Sequence, residues 1–359
     1  MRYIEANGYS LEVGSLLDSS FAQLLEDKYA ESKKIIIVDE NTHEYCLEFL
    51  VANFDALSEA EVIQVPAGED TKQISMATQV WEALSDYEVS RYDVIINVGG
   101  GVITDFGGFV ASCYKRGCDF INIPTSLLAM VDASIGGKTG VNLGGYKNQL
   151  GVFSNPVGLY IDPEFLETLP AKELESGFGE MLKHGLIADE ELYRDVCALM
   201  KSGEPIGEDV LIRCIEVKNK IVREDPNEKG LRKILNFGHT IGHAIEGHYL
   251  NSQPLTHGHA IALGMVMEAY LSVKVNGLAQ AMYLEIEAFI LDYYRFPKFS
   301  DEDIQAMLLL VQNDKKNRAG KVLCSLIPEI GRCTYDIPVR QELFLEVFLH
   351  FKNQQLNLN

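Results

Sequence analysis

Five short apolar runs in the first half of the sequence constrain its fold more than any other feature. Each run is rich in β-branched residues, shows little polar alternation and is separated from the next by a helix-like stretch. The runs are Lys34–Asp39, Glu61–Val65, Asp93–Val98, Phe120–Ile123 and Leu159–Asp162. Strands of this kind are typical of a parallel sheet that helices cover on both faces. We therefore predict an α/β domain with a parallel sheet at residues 1–172.

The hydrophobic period changes near residue 170, where helical spacing replaces the short runs. Helices are predicted over Glu173–Ala188, Glu208–Arg223, His239–His248, Ala260–Val275 and Asp301–Val311. An exposed turn is predicted at Asp225–Gly230 and one short β segment near Lys321–Ile327. A length of 359 residues suits two domains. We therefore predict a mostly α-helical C-terminal domain at residues 173–359.

The charge balance excludes several classes of partner. The chain carries 31 Lys and Arg against 52 Asp and Glu, a net charge of −21, which is the reverse of a nucleic-acid or anionic-membrane footprint. A local cluster of cations can still hold a small anionic substrate. The seven cysteines are scattered and no apolar run approaches the length of a membrane span, so we expect a cytoplasmic protein that is neither exported nor embedded.

Glycine-rich turns follow the predicted strands, where open parallel sheets bind their ligands. The run Gly99–Gly101 lies between a strand and a helical pattern, so it forms either a simple turn or a cradle for pyrophosphate. It is not a GxGxxG fingerprint, because Thr104 stands where the third glycine belongs. The segment Gly136–Thr139 is similar to the end of a P-loop, but Asp132 replaces that motif's first glycine, which disfavours nucleoside triphosphate hydrolysis.

A cluster of histidines and a carboxylate suggests a metal centre. His239 and His243 are four residues apart on one helix face, and His257 and Glu180 could join them. Three of these groups would give an N,N,O set with an open position, which suits catalytic Zn²⁺, although each histidine also fits an ordinary core or surface site. Lys183 shares a helix face with Glu180, as a solvated or a functional ion pair. Five cations stand out in this acidic chain: Lys138, Lys147, Lys183, Lys218 and Arg232.

Over nearly its whole length the sequence resembles the 3-dehydroquinate synthase family of sugar-phosphate cyclases. The motifs that carry the resemblance are Val38–Asn41, Pro66–Lys72, Gly99–Ala111, Pro124–Gly140, Lys147-Asn148, Glu180–Lys183, Lys218, Gly230–Arg232, Asn236–His243, His257-Gly258 and Asp314–Lys316. The family often has His-Gly-Glu after its last metal ligand, whereas this chain has His259 in the third position. Its ring lies off the face of His257, so we leave it out of the ligand set.

The resemblance implies a Rossmann-like NAD-binding domain, a helical metal- and substrate-binding domain and an active site in the cleft between them. It implies Glu180, His239 and His257 as ligands of Zn²⁺ or Co²⁺. The implied NAD contacts are Asp39, Asn41, Glu69, Lys72, Gly100, Gly101, Val102, Asp105, Thr125, Ser126, Asp132, Lys138, Lys147 and Thr168. The implied substrate contacts are Arg116, Lys138, Lys147, Asn148, Lys218, Arg232, Lys315 and Lys316. The implied catalytic residues are Asp132, Lys183, Asn236 and His243.

The implied reaction converts 3-deoxy-D-arabino-heptulosonate 7-phosphate to 3-dehydroquinate and phosphate, with transient oxidation by NAD. Arg116 matches an arginine that family members send across a homodimer interface to the neighbouring substrate phosphate. Three alternatives remain. One is a cyclase for another sugar phosphate, such as 2-deoxy-scyllo-inosose or 2-epi-5-epi-valiolone synthase, and one is a metal-dependent alcohol or glycerol dehydrogenase. The last is an inactive NAD-binding scaffold, which would have no reason to retain Glu180, His239 and His257 together with the cations.

Overall fold

A computed structural model describes residues 1–144, 146–250, 252–312 and 322–357. The chain divides into two compact units, Met1–Leu174 and Glu175–Asn359. Across the described ranges, no helix combines the length and the apolar character that crossing a membrane requires. All seven cysteines are free thiols.

The first unit is built around a seven-stranded sheet with helices along the chain between its strands. Its elements are β1 (Arg2–Glu5), β2 (Ser10–Val13), α1 (Phe21–Asp27), β3 (Lys34–Asp39), α2 (Glu40–Tyr45), α3 (Leu47–Asn53), β4 (Glu61–Val65), α4 (Ile74–Asp86), β5 (Val94–Gly99), α5 (Gly101–Cys113), β6 (Asp119–Pro124), β7 (Lys138–Leu143), β8 (Tyr146–Phe153) and β9 (Gly158–Ile161). The five predicted strands are confirmed. The bounds of β3 and β4 are as predicted, and those of β5, β6 and β9 shift by one residue at each end.

The strand order is β1-β2-β9-β6-β5-β3-β4, and every neighbouring pair except β1 and β2 is parallel. The chain places β4 on one side of β3 and then returns to add β5, β6 and β9 on the other side. The connection therefore switches direction between β3 and β5, where Val38 pairs with Val98. A parallel sheet opens a ligand crevice at the carboxyl ends of its strands at such a point.

The sequence analysis missed two pairs of strands. β1 and β2 form one edge of the sheet, and β7 and β8 form a separate antiparallel hairpin. The hairpin is polar and glycine-rich, so no apolar run marks it. A Cβ atom on Gly140 would lie 2.7 Å from the carbonyl oxygen of Leu150, which explains the glycine. Lys138 therefore begins a strand, and the likeness of Gly136–Thr139 to a P-loop does not extend to the helix that a P-loop requires.

The second unit is mostly helical, as predicted. Its elements are α6 (Ala171–Ala188), which starts within the first unit, α7 (Glu190–Ser202), α8 (Glu208–Glu224), α9 (His239–Tyr249), α10 (His257–Val275), α11 (Gln280–Tyr293), α12 (Asp301–Gln312), β10 (Val322–Glu329), β11 (Arg332–Val339) and α13 (Gln341–Asn357). The five predicted helices and the late strand are confirmed, whereas α7, α11, α13 and β11 were missed. The turn predicted at Asp225–Gly230 is present between α8 and the next helical segment.

Helix α10 forms the core of this unit, because residues around its whole circumference are buried. A helix that is apolar all round is typical of a central position. It begins three residues earlier than predicted, at His257, since the first turn reads His-Gly-His and lacks an apolar marker. α9 lies directly against it, and a Cβ atom on Gly242 would be 2.9 Å from the carbonyl oxygen of Ala260.

Candidate active site

Three helices of the second unit bring two imidazoles to one buried carboxylate. Glu180 lies on α6 and is fully buried. Its Oε1 atom lies 3.7 Å from Nε2 of His239 and 3.6 Å from Nε2 of His257. His239 is the first residue of α9 and His257 the first residue of α10. The structure therefore groups the three residues that the sequence analysis proposed as metal ligands.

Each of the three residues is next to a glycine at which two backbones touch. A Cβ atom on Gly258 would overlap the carbonyl oxygen of Ser176, and one on Gly179 would overlap that of Gly258. Gly238 has φ of 80°, in the left-handed region that favours glycine. A Cβ atom on Gly264, which faces it from α10, would overlap the Gly238 carbonyl oxygen. The helices that hold the three polar groups are thus in direct backbone contact.

The carboxylate is surrounded by positive charge. The buried Lys183 contacts Oε2 of Glu180 one turn along the same helix, so the ion pair is not a solvated one. Burial opposes a charge on His257, but the carboxylates of Glu246 and Glu180 outweigh it and raise its pKa to about 10. The two carboxylates therefore favour the protonated form of His257 when no metal is bound. A cation that used its Nε2 would have to displace that proton.

The donor set fits a divalent transition metal. Two imidazole nitrogens and one carboxylate oxygen, partly closed from solvent, match the ligands of catalytic Zn²⁺, and Co²⁺ accepts the same set. The ring of His243 lies 5.1 Å from that of His239 and 5.7 Å from that of His257, so it borders the set. These three histidines also offer ligand atoms within 4.8 Å of one another. His259 is directed elsewhere, because its Nε2 lies 3.0 Å from the carbonyl oxygen of Arg295.

Two of the proposed substrate and catalytic residues, Arg232 and Asn236, lie in one turn of the second unit, and a third, Lys218, lies on the preceding helix. Lys218 is buried on α8, and Arg232 and Asn236 belong to the 3-10 turn Leu231–Asn236. Nη1 of Arg232 donates to the carbonyl oxygen of Pro226 at 2.7 Å. Nδ2 of Asn236 donates to Oε1 of Glu228 at 2.6 Å.

The sequence analysis missed both carboxylates that organise this turn. Glu228 holds Asn236, and Asp225 accepts hydrogen bonds from the backbone N–H groups of Lys229, Gly230 and Arg232. Burial raises the pKa of Asp225, but these three donors and the Arg232 guanidinium outweigh it and lower the pKa below its usual value. The segment had been interpreted as an exposed turn, which gave no reason to look for a functional role. An Asp that precedes a Gly by five residues is too common a pattern to predict that the carboxylate accepts these backbone hydrogen bonds.

In the first unit, the glycine run forms the start of a long helix. Gly99 ends β5, Gly100 caps α5 and Gly101 is its first residue, followed by Val102. A Cβ atom on Gly100 would lie 3.1 Å from Oγ of Ser126, and the N–H of Thr125 donates to the Gly99 carbonyl at 3.1 Å. The proposed glycine, threonine and serine contacts therefore lie together. A helix N-terminus with close backbone access suits a pyrophosphate.

Three proposed NAD residues have structural partners that the sequence did not reveal. Asp39 is the N-cap of α2, where its Oδ1 accepts the N–H of Thr42 at 2.8 Å, and Asn41 is exposed on the first turn of that helix. Lys72 forms a buried ion pair with Asp105, with its Nζ atom 2.8 Å from Oδ2. Lys72 and Asp105 were expected as separate NAD contacts, and their pairing was not predicted from the sequence.

Asn142 joins the Glu69–Lys72 loop to the β7–β8 hairpin, which carries Lys138, Lys147 and Asn148. Its Nδ2 donates to Oε1 of Glu69 at 2.9 Å, and its Oδ1 accepts the N–H of Asn148 at 2.8 Å. Its own N–H donates to the carbonyl of Lys72 at 2.7 Å. The sequence analysis missed Asn142, because an asparagine in a short polar segment carries no distinctive pattern.

The remaining proposed residues lie in irregular segments. Asp132 belongs to a π-helical turn, Ala129–Ala133, a rare geometry that is frequent at functional sites. Arg116 is exposed with φ of 68° next to Lys115 at 47°, a left-handed pair unusual outside glycine. Thr168 is exposed at the end of a 3-10 turn. Lys315 and Lys316 lie outside the described residues.

Comparisons with known proteins agree with this arrangement. The family model described as 3-dehydroquinate synthase N-terminal matches residues 62–176, and the one described as 3-dehydroquinate synthase C-terminal matches residues 177–317. The 3-dehydroquinate synthase of Parabacteroides distasonis is 40% identical over 317 residues, which cover 88% of this chain and 90% of that protein.

Solved structures share the fold. A 2-epi-5-epi-valiolone synthase from Streptomyces hygroscopicus, solved with NAD⁺ and Zn²⁺ bound, matches with a TM-score of 0.85 at 27% identity, over 99% of both chains. A 2-deoxy-scyllo-inosose synthase, solved with carbaglucose-6-phosphate, NAD⁺ and Co²⁺, matches with a TM-score of 0.81 over 96% of this chain and 99% of that one. Its identity of 23% supports the fold alone.

Proposed function

The chain belongs to the 3-dehydroquinate synthase family, and we propose that it converts 3-deoxy-D-arabino-heptulosonate 7-phosphate to 3-dehydroquinate and phosphate. The observation that carries this proposal is the buried carboxylate of Glu180, shared between two imidazoles and the Lys183 ammonium. A scaffold protein would have to stabilise this costly cluster without using it. The chain is an enzyme of the phosphate-eliminating, ring-closing class.

The cofactors of the proposed reaction are NAD and a divalent metal, Zn²⁺ or Co²⁺. When bound, NAD would supply a hydride acceptor for the C5 carbon of the substrate, and the same carbon would be reduced again within the cycle. Glu180, His239 and His257 would hold the divalent metal, which would supply Lewis-acid stabilisation of an alkoxide on a neighbouring hydroxyl oxygen. The residues proposed for NAD lie in the first unit and the metal ligands in the second.

The chain's own residues then have two tasks. We assign the relay of the C5 hydroxyl proton to His243 and Lys183, since both border the proposed ligand set. Asp132 and Asn236 orient the substrate through polar contacts. Once C5 is a ketone, the neighbouring C6 proton is acidic, so phosphate leaves by elimination with an oxygen of the phosphate itself as the base. After C5 is reduced again, the ring opens, and the pocket holds the chain for aldol closure.

Cations recognise the two anionic ends of the substrate in this proposal. Arg232 and Lys218 bind the C1 carboxylate, to which a guanidinium can form two parallel hydrogen bonds. The phosphate is bound by Lys138, Lys147, Asn148 and Arg116, with Lys315 and Lys316 as further contacts. The exposed, left-handed turn at Arg116 suits an arginine that reaches a second subunit, so a homodimer is part of the proposal. The free cysteines support a cytoplasmic location.

The test is to supply the heptulosonate phosphate with a small amount of NAD⁺ and to follow phosphate and NADH together. We expect many phosphate ions per NAD⁺ and no net NADH, because one carbon is both oxidised and reduced. One NADH per product would instead identify a dehydrogenase, and no phosphate release would refute the proposal. His239→Ala should abolish turnover. His259→Ala is the matched control, because that ring contacts the Arg295 carbonyl.

A further inference from the structure

The two histidines of the proposed ligand set are oriented in the same way by different groups. In each ring Nε2 faces Oε1 of Glu180, at 3.7 Å for His239 and 3.6 Å for His257. The opposite ring nitrogen of His239, Nδ1, lies 3.2 Å from the carbonyl oxygen of Phe237. Nδ1 of His257 instead lies 3.4 Å from Oε2 of Glu246, a charged acceptor.

Glu246 lies on α9 and is buried, with 3% of its surface exposed, while His257 begins α10. A buried carboxylate is costly unless charge and hydrogen bonds compensate it. The imidazole of His257, the first residue of α10, compensates it here. The backbone contact between Gly242 and α10 keeps the two helices, and therefore the two side chains, in place.

We propose that Glu246 is a positioning residue that fixes the ring and the tautomer of His257 for metal binding. By accepting a hydrogen bond from Nδ1–H, the carboxylate leaves the lone pair of His257 on Nε2, which points at Glu180. Carboxylates that hold a ligand histidine in this way also raise its basicity, and their loss weakens metal binding by about 10- to 100-fold. The inference rests on the proposed ligand set.

The experiment measures Co²⁺ affinity of the full-length protein by competition with a chelator, independently of activity. Glu246→Leu removes the acceptor at similar volume, and we expect Co²⁺ to bind about 10- to 100-fold more weakly. Glu246→Gln keeps a carbonyl acceptor without the charge, so its affinity should lie between those of the wild type and the leucine variant. Affinities of both variants within twofold of the wild type would overturn the proposal.

Asp303→Asn is the matched control. It removes the carboxylate that lies 2.7 Å from Nε2 of His248, another histidine of α9 outside the ligand set. Thermal unfolding of the metal-free proteins shows how much stability each substitution costs. We expect Asp303→Asn to lower stability without changing Co²⁺ affinity. A loss of affinity as large as that of Glu246→Leu would show that metal binding simply follows helix stability, which also overturns the proposal.

Two further measurements separate this inference from the ligand set on which it rests. If His257→Ala binds Co²⁺ as tightly as the wild type, His257 is not a ligand and both proposals fail. If His257→Ala loses the metal and the Glu246 variants do not, only the role of Glu246 fails. Should the Glu246 variants not fold, ¹⁵N imidazole spectra of the Zn²⁺-loaded wild type test the role of Glu246, because they show which ring nitrogen of His257 carries the proton. We expect His257 to carry its proton on Nδ1, and a proton on Nε2 would refute the positioning role.

Discussion

Replacing Asn142 by aspartate tests whether the Glu69 loop and the β7–β8 hairpin are held together by one amide. The substitution Asn142→Asp keeps the oxygen that accepts the N–H of Asn148 at 2.8 Å. It replaces the donor that faces Oε1 of Glu69 at 2.9 Å by a second carboxylate oxygen. Shape is thus preserved, and a hydrogen bond becomes a contact between like charges.

The size of the effect follows from the distance and the partial burial of both side chains. Two unit charges about 3 Å apart repel by ~1.4 kcal/mol in water and by ~5.5 kcal/mol at an effective dielectric constant of ~20. The lost hydrogen bond adds ~1 kcal/mol. Uptake of one proton by the pair of carboxylates removes the repulsion. For a carboxyl of ordinary pKa near ~4 this protonation costs ~4 kcal/mol at pH 7, so the repulsion cannot destabilise the protein by more than that. We expect the first unit to lose ~2–4 kcal/mol at pH 7 but only ~1 kcal/mol at pH 5, where a shared proton restores the donor.

The assay is urea denaturation at the two pH values, followed by fluorescence. The single tryptophan, Trp81, lies on α4 of the first unit and reports on that unit alone. Asn142→Ala, which removes the donor without adding charge, should cost ~1–2 kcal/mol at both pH values. Equal losses at pH 5 and pH 7 for Asn142→Asp, or a smaller loss than for alanine at pH 7, would refute the reasoning.

Three further predictions concern the second unit. Chelation should abolish turnover and Zn²⁺ or Co²⁺ should restore it; recovery with neither metal, or full activity in chelator, would contradict the ligand set. Asp225→Asn should destabilise the protein at neutral pH by ~1–3 kcal/mol. Since the folded-state pKa of Asp225 is lowered, this difference should persist above the unfolded-state pKa near ~4 and vanish as acid protonates the wild-type carboxylate; a difference that is constant with pH would contradict it. Arg232→Lys should weaken binding of the carboxylated substrate by ~2–5 kcal/mol and change little for a hydroxymethyl analogue; equal losses would assign Arg232 a structural role.

The sequence predicted the strands that are rich in apolar, β-branched residues. β3 was found with correct bounds because a parallel strand inside a covered sheet must be apolar throughout. β4 lies at the edge of the sheet and exposes Glu61 and Gln64, but its other three residues are valine or isoleucine, which was enough to find it. The β7–β8 hairpin was missed because its glycines are required by close backbone contacts between the two strands. Such contacts produce no hydrophobic period in the sequence. Gly258, at the start of α10, is likewise required by a backbone contact, and a glycine at this position predicts the end of a helix rather than its beginning.

Within the site, the sequence identified groups with distinctive chemistry and missed their supports. Glu180 stands out because its glycine-rich and otherwise apolar segment is poor material for an exposed helix face, and His239 and His257 stand out as histidines that could share a metal with it. Glu246 and Asn142 act through side-chain contacts between different elements, and neither residue type is unusual in its segment. Such supports become visible only when side-chain distances are known.

The glycines beside Glu180, His239 and His257 bear on how fast the site could exchange its metal. Where helices meet backbone to backbone, rotation of a side chain cannot open a gap between them, because no side chain lies in the contact. Separating the helices that carry the ligands therefore requires a whole helix to move, an opening whose free energy approaches that of global unfolding. We expect any metal release that needs this separation to be slow, with a temperature dependence as steep as that of unfolding itself. Backbone packing would thus keep the three ligands together, while the imidazoles and the carboxylate determine which ion they bind.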